Sequence, residues 1–353
     1  MRILIVGAGP PGLTTAVELA RRGIVAEIID LRESGSGLSR TVGIMPASLK
    51  NFCPSGVTER FLAEGIKFRQ ARTYRHSSLV LALPTMGGGG DDGFIIGLAQ
   101  DRTETHLRDT LSALGGTVRF ATELLGLRQD AHKVSAEMKN GARADYDYVI
   151  GADGAHSTVR KLVKIVFPGH DLSETWSIAD VDADCWRNAD CFTVCRLSGG
   201  RVVVLAPHEA ARFRVISNTP DALAALPLQL NVTKIRREGQ FKISVRQAAQ
   251  YRVGRVFLVC DAAHCHSPVG GRGMNLGIAD GAELARCLVE GELEAYGPVR
   301  HKVGRKIIAG SEALRKVVTS RNPITRFLVM ALLRIAAILP PLQRLFARKI
   351  LYG

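Results

Sequence analysis

The chain has 353 residues, 46% hydrophobic and 23% charged. That composition excludes a disordered or fibrous protein and leaves room for two or three packed domains. The net charge of +14 is unevenly placed: from Arg300 onward there are twelve Lys or Arg against one acid, Glu312, a local balance of +11.

The run RILIVGAG at 2–9 is a short, β-branched apolar stretch of the kind a buried parallel strand shows. A glycine turn follows. GLTTAVELARRG then predicts a helix ended by Gly23, and VAEIIDL a second strand, which completes a βαβ unit. Residues 40–120 alternate helical pieces (ASLKNF, VTERFLAEG, DRTETHLRDTLSALGG) with the strand-like SSLVLAL, and GGGGDDG at 87–93 reads as a flexible loop tip. ADYDYVIGADG predicts another buried strand ending in a turn. From about 171 to 250 the period changes to two. In FKISVR, Phe241, Ile243 and Val245 share one face, with Lys242, Ser244 and Arg246 on the other; RVVVLAP and RFRVIS behave alike. This predicts a mostly antiparallel sheet layer. GRVFLVCDAAH returns to a buried strand, MNLGIADGAELARCLVEG reads as a helix, and residues beyond 296 are helical and basic.

Chemistry begins at Gly7-Ala8-Gly9-Pro10-Pro11-Gly12. Gly7 permits a tight turn, Gly9 lets the backbone approach a pyrophosphate, and Gly12 lets helix pack on strand; the helix N-terminus offers positive dipole to phosphate. Asp30, eighteen residues after Gly12 at the end of the second strand, is placed to accept the hydroxyls of an adenosine ribose. A dinucleotide is expected, of a kind these residues leave open. Cys260, Asp261, His264, Cys265 and His266 are all metal-ligating types. However, His264 and Cys265 are adjacent and the stretch is crowded with glycines, unlike the separated pairs of a zinc site, so no metal is expected. Cys185, Cys191 and Cys195 read as small apolar filler.

Two further stretches carry a resemblance. GADGAHSTVR at 151–160 holds Asp153-Gly154 with Ser157 and Arg160, and FLVCDAAHCHSPVGGRGMN at 257–275 holds Asp261. With the N-terminal glycine loop, these motifs in this order make the chain resemble the class A flavoprotein aromatic hydroxylases, the group of p-hydroxybenzoate and phenol hydroxylases. SRTVGIMPASL, with Arg40, and LAQDRTETHL, with Gln100, are weaker echoes of the same family.

The resemblance implies an α/β fold: a Rossmann-like FAD-binding domain of the glutathione reductase type, an inserted mixed or antiparallel substrate sheet, and a C-terminal helical segment. It divides the chain into FAD-binding parts at 1–75, 101–170 and 251–295, substrate-sheet parts at 76–100 and 171–250, and a basic helical segment at 296–353. Members of the phenol hydroxylase type carry a further thioredoxin-like domain, for which no room is expected here. FAD contacts are implied at Gly7, Gly9, Pro10, Pro11, Gly12, Asp30, Leu31, Arg32, Arg40 and Leu124. Gln100 and Asp261 would meet the ribityl chain, Asp153 would lie near the pyrophosphate, and Pro268 beside the reactive C4a edge. Gly271, Gly273, Met274 and Asn275 would bring a helix N-terminus to the flavin N1/O2 locus, where reduced flavin carries negative charge.

The implied activity is oxygenation of an aromatic or similarly electron-rich small molecule with NADH or NADPH and O2, by way of a flavin C4a-hydroperoxide. Alternatives are an oxidoreductase of the same fold without oxygen insertion, and a non-catalytic flavin-binding accessory protein at a membrane surface. No residue presents itself as a catalytic base. His208, Arg212 and Arg214 are substrate-pocket candidates, against the plainer reading of an exposed strand face; Trp176 and Phe192 line the pocket or fill core. One position departs from the family: Cys260 stands where a glycine is usual, and is expected to pack inward. The basic tail points to an anionic partner. No nucleic-acid motif appears, so nucleic acid is not expected. Residues 327–339, interrupted by Arg334, are shorter than the ~20 a spanning helix needs, and read either as a helix closing over the flavin domain or as peripheral membrane contact. Seven cysteines without CxxC spacing, and no cleavable leader, fit a reduced, cytoplasmic protein.

Overall fold

In the computed structural model, which describes residues 1–35, 43–85 and 93–352, the chain opens with β1 (Ile3–Val6), α1 (Pro10–Ala20) and β2 (Glu27–Ile29). Helices α2 (Pro46–Phe52) and α3 (Val57–Glu64) follow, then β3 (Ile66–Lys67), the hairpin of β4 (Gln70–Arg75) and β5 (Ser78–Pro84), and β6 (Ile96–Gly97). Helix α4 (Gln100–Ala113) leads to β7 (Val118–Arg119). A meander of β8 (Leu124–Gln129), β9 (Val134–Met138) and β10 (Arg143–Tyr146) comes next, then β11 (Tyr148–Gly151) and the short α5 (Thr158–Leu162). The long strands β12 (Gly169–Asp184) and β16 (Asn231–Gln247) bracket β13 (Cys191–Arg196), β14 (Val202–Glu209) and β15 (Arg212–Ser217). After β17 (Arg252–Val253), β18 (Val256–Leu258) and β19 (His264–Cys265), the chain ends in α6 (Gly273–Glu290), α7 (Leu293–Val318), α8 (Pro323–Ile338) and α9 (Pro340–Tyr352).

The β-branched runs form a six-stranded sheet in the order β17-β18-β11-β1-β2-β7, parallel except at the β17 edge. Every residue of β1 and β18 is buried, which is what continuous apolar strands between helical layers require. Pro10 and Pro11 open α1 where their missing N–H groups cost no helical hydrogen bond, and Gly23, at φ +86°, turns the chain back toward β2.

The period-two segment forms an eight-stranded sheet, β19-β16-β12-β15-β14-β13-β4-β5, antiparallel except where β13 runs parallel to β4. The layer takes in Gln70, paired to Cys191, and starts again at Gly169, so its segments open earlier than residues 76 and 171. Alternation sorts its two faces. Val203, Leu205, Phe213 and Val215 pack under Ala222 and its neighbours, whereas Trp176, Ile178, Val202, Ala206, Ile216 and Ile243 face Phe68, Ile95 and the half-buried Met45 and Val269. The second face therefore looks toward the first sheet and the glycine-rich loop before α6.

Candidate active site

Three turns meet at the C-terminal ends of β1, β11 and β18. Gly7 sits at φ +108°, and a β-carbon there would lie 2.3 Å from the carbonyl oxygen of Ala152; one on Gly12 would lie 2.0 Å from the carbonyl of Gly7. The protein's own packing requires both glycines. Gly9 is different, because among the described residues a β-carbon there would meet nothing nearer than Pro11 Cδ at 3.9 Å. Open space over a glycine at an uncapped helix N-terminus, with no acid in the first turn, is what a backbone approached by a pyrophosphate needs.

Asp30 lies 22 residues from Ala8 and accepts its N–H at 2.8 Å. It also accepts the backbone N–H of Arg32 (2.8 Å) and a two-pronged Arg32 guanidinium (2.9 and 2.8 Å). Burial opposes the Asp30 charge, but the Arg32 fork and the two backbone donors outweigh it and hold the carboxyl below its ordinary range. Four donors fill a carboxylate's four acceptor sites. A ribose hydroxyl therefore reaches Asp30 only where Arg32 gives way, a competition the spacing alone did not disclose. Arg32 also faces the buried Glu104 of α4 at 3.6 Å. Beside it, the exposed Leu31 lines a cleft of about 240 Å³ with Glu33, Thr122 and Lys139.

In the second turn, Asp153 caps α5: it accepts Ser157 Oγ at 2.5 Å and the N–H of Val159 at 3.0 Å. Burial pushes its carboxyl up against these bonds. Arg160, itself buried, donates to the carbonyls of Ala155 and Ala262, both at 2.8 Å, and its guanidinium lies over the Phe167 ring. One side chain thus locks the second turn to the third.

In the third turn Cys260 adopts φ +53°, a left-handed conformation that favours glycine. It is buried, and its thiol fills the space a β-carbon on Gly277 would need, 2.4 Å away, beside Pro11. Burial, then the Asp261 and Asp280 carboxylates, push the thiol well above its ordinary range. Asp261 is half-buried and, among the described residues, its carboxylate accepts only a long 3.5 Å contact from the Cys260 thiol, which leaves most of its acceptor capacity open to a ligand. His264 and Cys265 form β19, paired with Gln247 and Arg246. His264 is buried against Asp280 at 2.6 Å, and Arg300 meets the other Asp280 oxygen at 2.6 Å. Burial raises the Asp280 carboxyl, but His264 and Arg300 overcome that and hold it low.

The loop then enters α6 with no side-chain cap and no acid in its first turn. Gly271 stands at φ +65°; among the described residues a β-carbon there would meet nothing within 4 Å, and one on Gly273 only His266 Nε2 at 3.8 Å. Pro268 is half-buried and Met274 buried. The Asn275 side chain accepts from Met45 N–H and Ser48 Oγ, both at 2.8 Å, and donates to the carbonyls of Gly43 (3.0 Å) and Gly271 (3.1 Å). Its amide is fully used in tying residues 43–48 to α6. Gln100 begins α4 and donates to Glu104 at 3.0 Å, and Leu124 starts β8 within the core. Arg40 and most of the GGGGDDG stretch lie outside the described residues.

On the sheet face turned toward these loops, the exposed-strand reading of His208, Arg212 and Arg214 is overturned: all three are buried. Alternation through Ile216 and Ile178 places the two arginines and Asp180 on the inner face. Arg214 pairs with Asp180 at 2.7 and 2.6 Å, and Arg212 with Glu209 (3.0 Å) and Asp101 of α4 (3.4 Å). His208 is the extra residue of a β-bulge between Pro207 and Glu209, a device that re-aims a side chain. The bulge abuts β6, since a β-carbon on Gly97 would lie 2.1 Å from the Pro207 carbonyl. Neither His208 nitrogen has a hydrogen-bond partner among the described residues, nor does Trp176 Nε1. Burial, then the neighbouring Arg214 and Arg212, push the imidazole well below its ordinary range. Phe192 is half-buried and stacks on Phe68.

A parallel sheet ending in three glycine-rich turns, with a second sheet laid over them, defines a dinucleotide-binding flavoprotein. A sequence profile for an FAD binding domain matches residues 1–221 and 219–311. The chain is 31% identical over 340 residues to rifampicin monooxygenase of Streptomyces venezuelae, spanning 88% of this chain and 70% of that one. It is 30% identical over 352 residues to pentachlorophenol 4-monooxygenase of Sphingobium chlorophenolicum, spanning 90% and 64%. Its fold matches p-nitrophenol 4-monooxygenase from Pseudomonas putida with a TM-score of 0.89 at 21% identity, over 99% of this chain and 98% of that one. The chain belongs to the FAD-binding domain family of flavoprotein monooxygenases, and FAD is its cofactor.

Proposed function

We propose that the substrate is an apolar aromatic ring bearing a hydroxyl or comparable hydrogen-bonding group, oxygenated with NADH or NADPH as reductant. The observation that carries this reading is His208. A buried imidazole held neutral has one donor and one acceptor nitrogen, and among the described residues neither has a partner at this bulge against β6. Buried polar groups are rarely left so. A phenolic hydroxyl donating to the unprotonated nitrogen satisfies one of them and makes the ring more electron-rich. Trp176, Ile178, Ile216 and Ile243 supply the apolar wall that excludes water. The named activities of the rifampicin and pentachlorophenol relatives support an aromatic substrate.

Bound FAD supplies the redox chemistry, accepting hydride from the nicotinamide and activating O2 for transfer of one oxygen atom. The chain's part is to bind and orient. The loop from Gly7 to Gly12, with Pro10 and Pro11 opening α1, and Asp153 hold the pyrophosphate; Asp30, Leu31, Arg32 and Leu124 hold the adenosine end. Gln100 and Asp261 take the ribityl hydroxyls. Pro268, Gly271, Gly273, Met274 and Asn275 border the ring, and Arg40 joins them on resemblance alone. The free thiols support a reducing, cytoplasmic setting.

The test is NADH and NADPH oxidation by the flavin-loaded protein with and without a panel of phenols, with product analysed for ¹⁸O from ¹⁸O₂. Accelerated oxidation with label in the product is expected, and His208→Leu should raise KM for the phenol at least about tenfold. Accelerated oxidation yielding only hydrogen peroxide with every phenol would overturn the reading.

A further inference from the structure

We propose that α8 and α9 form an interfacial docking surface for a bilayer rich in anionic phospholipid. Helix α8 is apolar on two sides. Its inner side, with Leu333 and the fully buried Ala336, packs on Leu81 and Leu83 of β5, together with Leu342, Phe346 and Ile350 of α9. Its outer side carries Ile324 (68% exposed), Phe327 (72%), Leu328, Leu332, Ile335 and Ile338 (76%), and Leu339 follows at its end. The spacings 324, 327, 328, 335 and 338 place these on one stripe of the helix. A helix apolar all round belongs in a buried setting, yet half of this one faces out of the fold.

Charge selects the occupant. From Ala313 to the last residue the ionisable side chains that carry charge are Arg315, Lys316, Arg321, Arg326, Arg334, Arg344, Arg348 and Lys349, without one acid. Arg334 borders the outer stripe and, with Arg75, His76, Ser78, Leu79 and Val80, lines a cleft of about 480 Å³ at the tip of the β4–β5 hairpin. Neither Arg75 nor Arg334 has a carboxylate partner among the described residues. Two free guanidiniums at the rim of an apolar stripe, with the exposed Leu79 between them, fit a phosphate headgroup above acyl chains. Among the described residues no single helix is long and apolar enough to cross; α8 and α9 reach that length only together and are bent by 112° at their break, and the sixteen residues of α8 alone span roughly 24 Å against a hydrocarbon core of about 30 Å. The surface is continuous with the site, since the carbonyl of Lys349 on α9 accepts from Arg272 in the glycine loop at 3.1 Å and Leu351 joins the cluster around Trp176.

The experiment is sedimentation of the full flavin-loaded chain with vesicles of phosphatidylglycerol and phosphatidylcholine, against phosphatidylcholine alone, at about 0.1 M and about 0.5 M salt. Binding to the anionic vesicles should exceed the neutral control by at least about tenfold and fall several-fold at the higher salt. The pair Phe327→Ser and Ile338→Ser should reduce it about tenfold, as should Arg75→Glu with Arg334→Glu, while flavin content and NAD(P)H oxidation stay those of the wild type. Equal binding to both vesicle types, or indifference to both variant pairs, overturns the proposal. So does a concentration-dependent dimer in lipid-free buffer that the Phe327/Ile338 pair converts to monomer, which assigns the face to a second copy of the chain.

Discussion

The backbone N–H of Cys260 donates to Oδ2 of Asp280 at 3.1 Å, joining the turn after β18 to the middle of α6. The same oxygen meets His264, and the other meets Arg300 from α7. A single buried acid therefore holds, from behind, the turn that presents Asp261. Asp280 acts through the Cys260 backbone, His264 and Arg300, and is a positioning residue.

Replacing Asp280 with Asn leaves the Arg300 guanidinium buried without its counter-charge. Breaking a buried pair in this way costs about 3–5 kcal/mol, so the unfolding free energy from a denaturant melt should fall by that amount and the midpoint with it. Flavin should also be lost on gel filtration before the chain unfolds. Asp280→Glu, which keeps the charge, should recover part of both. An unchanged midpoint in Asp280→Asn would show that the network contributes nothing.

Cys260 carries two opposed effects. Its left-handed backbone costs about 1–2 kcal/mol relative to glycine, and burying its small apolar side chain returns about 1 kcal/mol. Cys260→Gly should therefore change the unfolding free energy by no more than about 1 kcal/mol. Cys260→Val adds a β-branch at positive φ and presses a methyl against Gly277 and Pro11, and should cost about 3 kcal/mol or fail to fold. Iodoacetamide on the native protein, followed by peptide mapping, should label the exposed Cys53 and Cys185 and spare Cys260.

Local pattern made the framework legible. The glycine spacing, the β-branched runs and the period-two stretch led to the two sheets because each depends only on neighbours in sequence. The fate of individual polar groups did not follow, because it depends on partners far along the chain. Arg214 reads as an outward strand charge until Asp180, 34 residues away, is seen opposite it. Asp30 reads as a free ribose acceptor until the Arg32 fork is seen on it. The bulge at His208 has no glycine to announce it. Asp280, an acid inside an otherwise apolar helix stripe, is the local trace that the buried network leaves in the sequence.

His208 gives a pH dependence of defined sign. Its imidazole is held well below the unfolded value by burial and by Arg214 and Arg212. Below about pH 6.5 the unfolded chain takes up a proton that the folded chain refuses, so stability is lost as pH falls from there toward the folded pKa, by up to about 1.4 kcal/mol per pH unit. His208→Leu removes this term, while His266 and His301, lowered by burial in the same way, remain in both proteins. The difference in stability between wild type and variant should therefore shift in favour of the variant as pH falls from about 7 to about 5. A difference that does not vary with pH would mean that His208 binds its proton equally well in the folded and unfolded chains.

The two glycines of the first turn separate fold from cofactor. Gly7→Ala places a β-carbon 2.3 Å from the Ala152 carbonyl at a backbone angle of +108°, so both the loop and β11 must move. The variant should lose several kcal/mol of stability as well as flavin. Gly9→Ala meets nothing among the described residues nearer than 3.9 Å and keeps an ordinary φ of −74°, so the apoprotein's unfolding free energy should stay within about 1 kcal/mol of wild type. If the open space above Gly9 is where the pyrophosphate approaches, the added methyl lies between phosphate and backbone, and flavin affinity should fall at least about tenfold. Titrating apoprotein with FAD by fluorescence quenching, beside a denaturant melt of the same sample, reads both quantities. A Gly9→Ala protein that binds FAD as tightly as wild type would move the pyrophosphate away from this helix N-terminus.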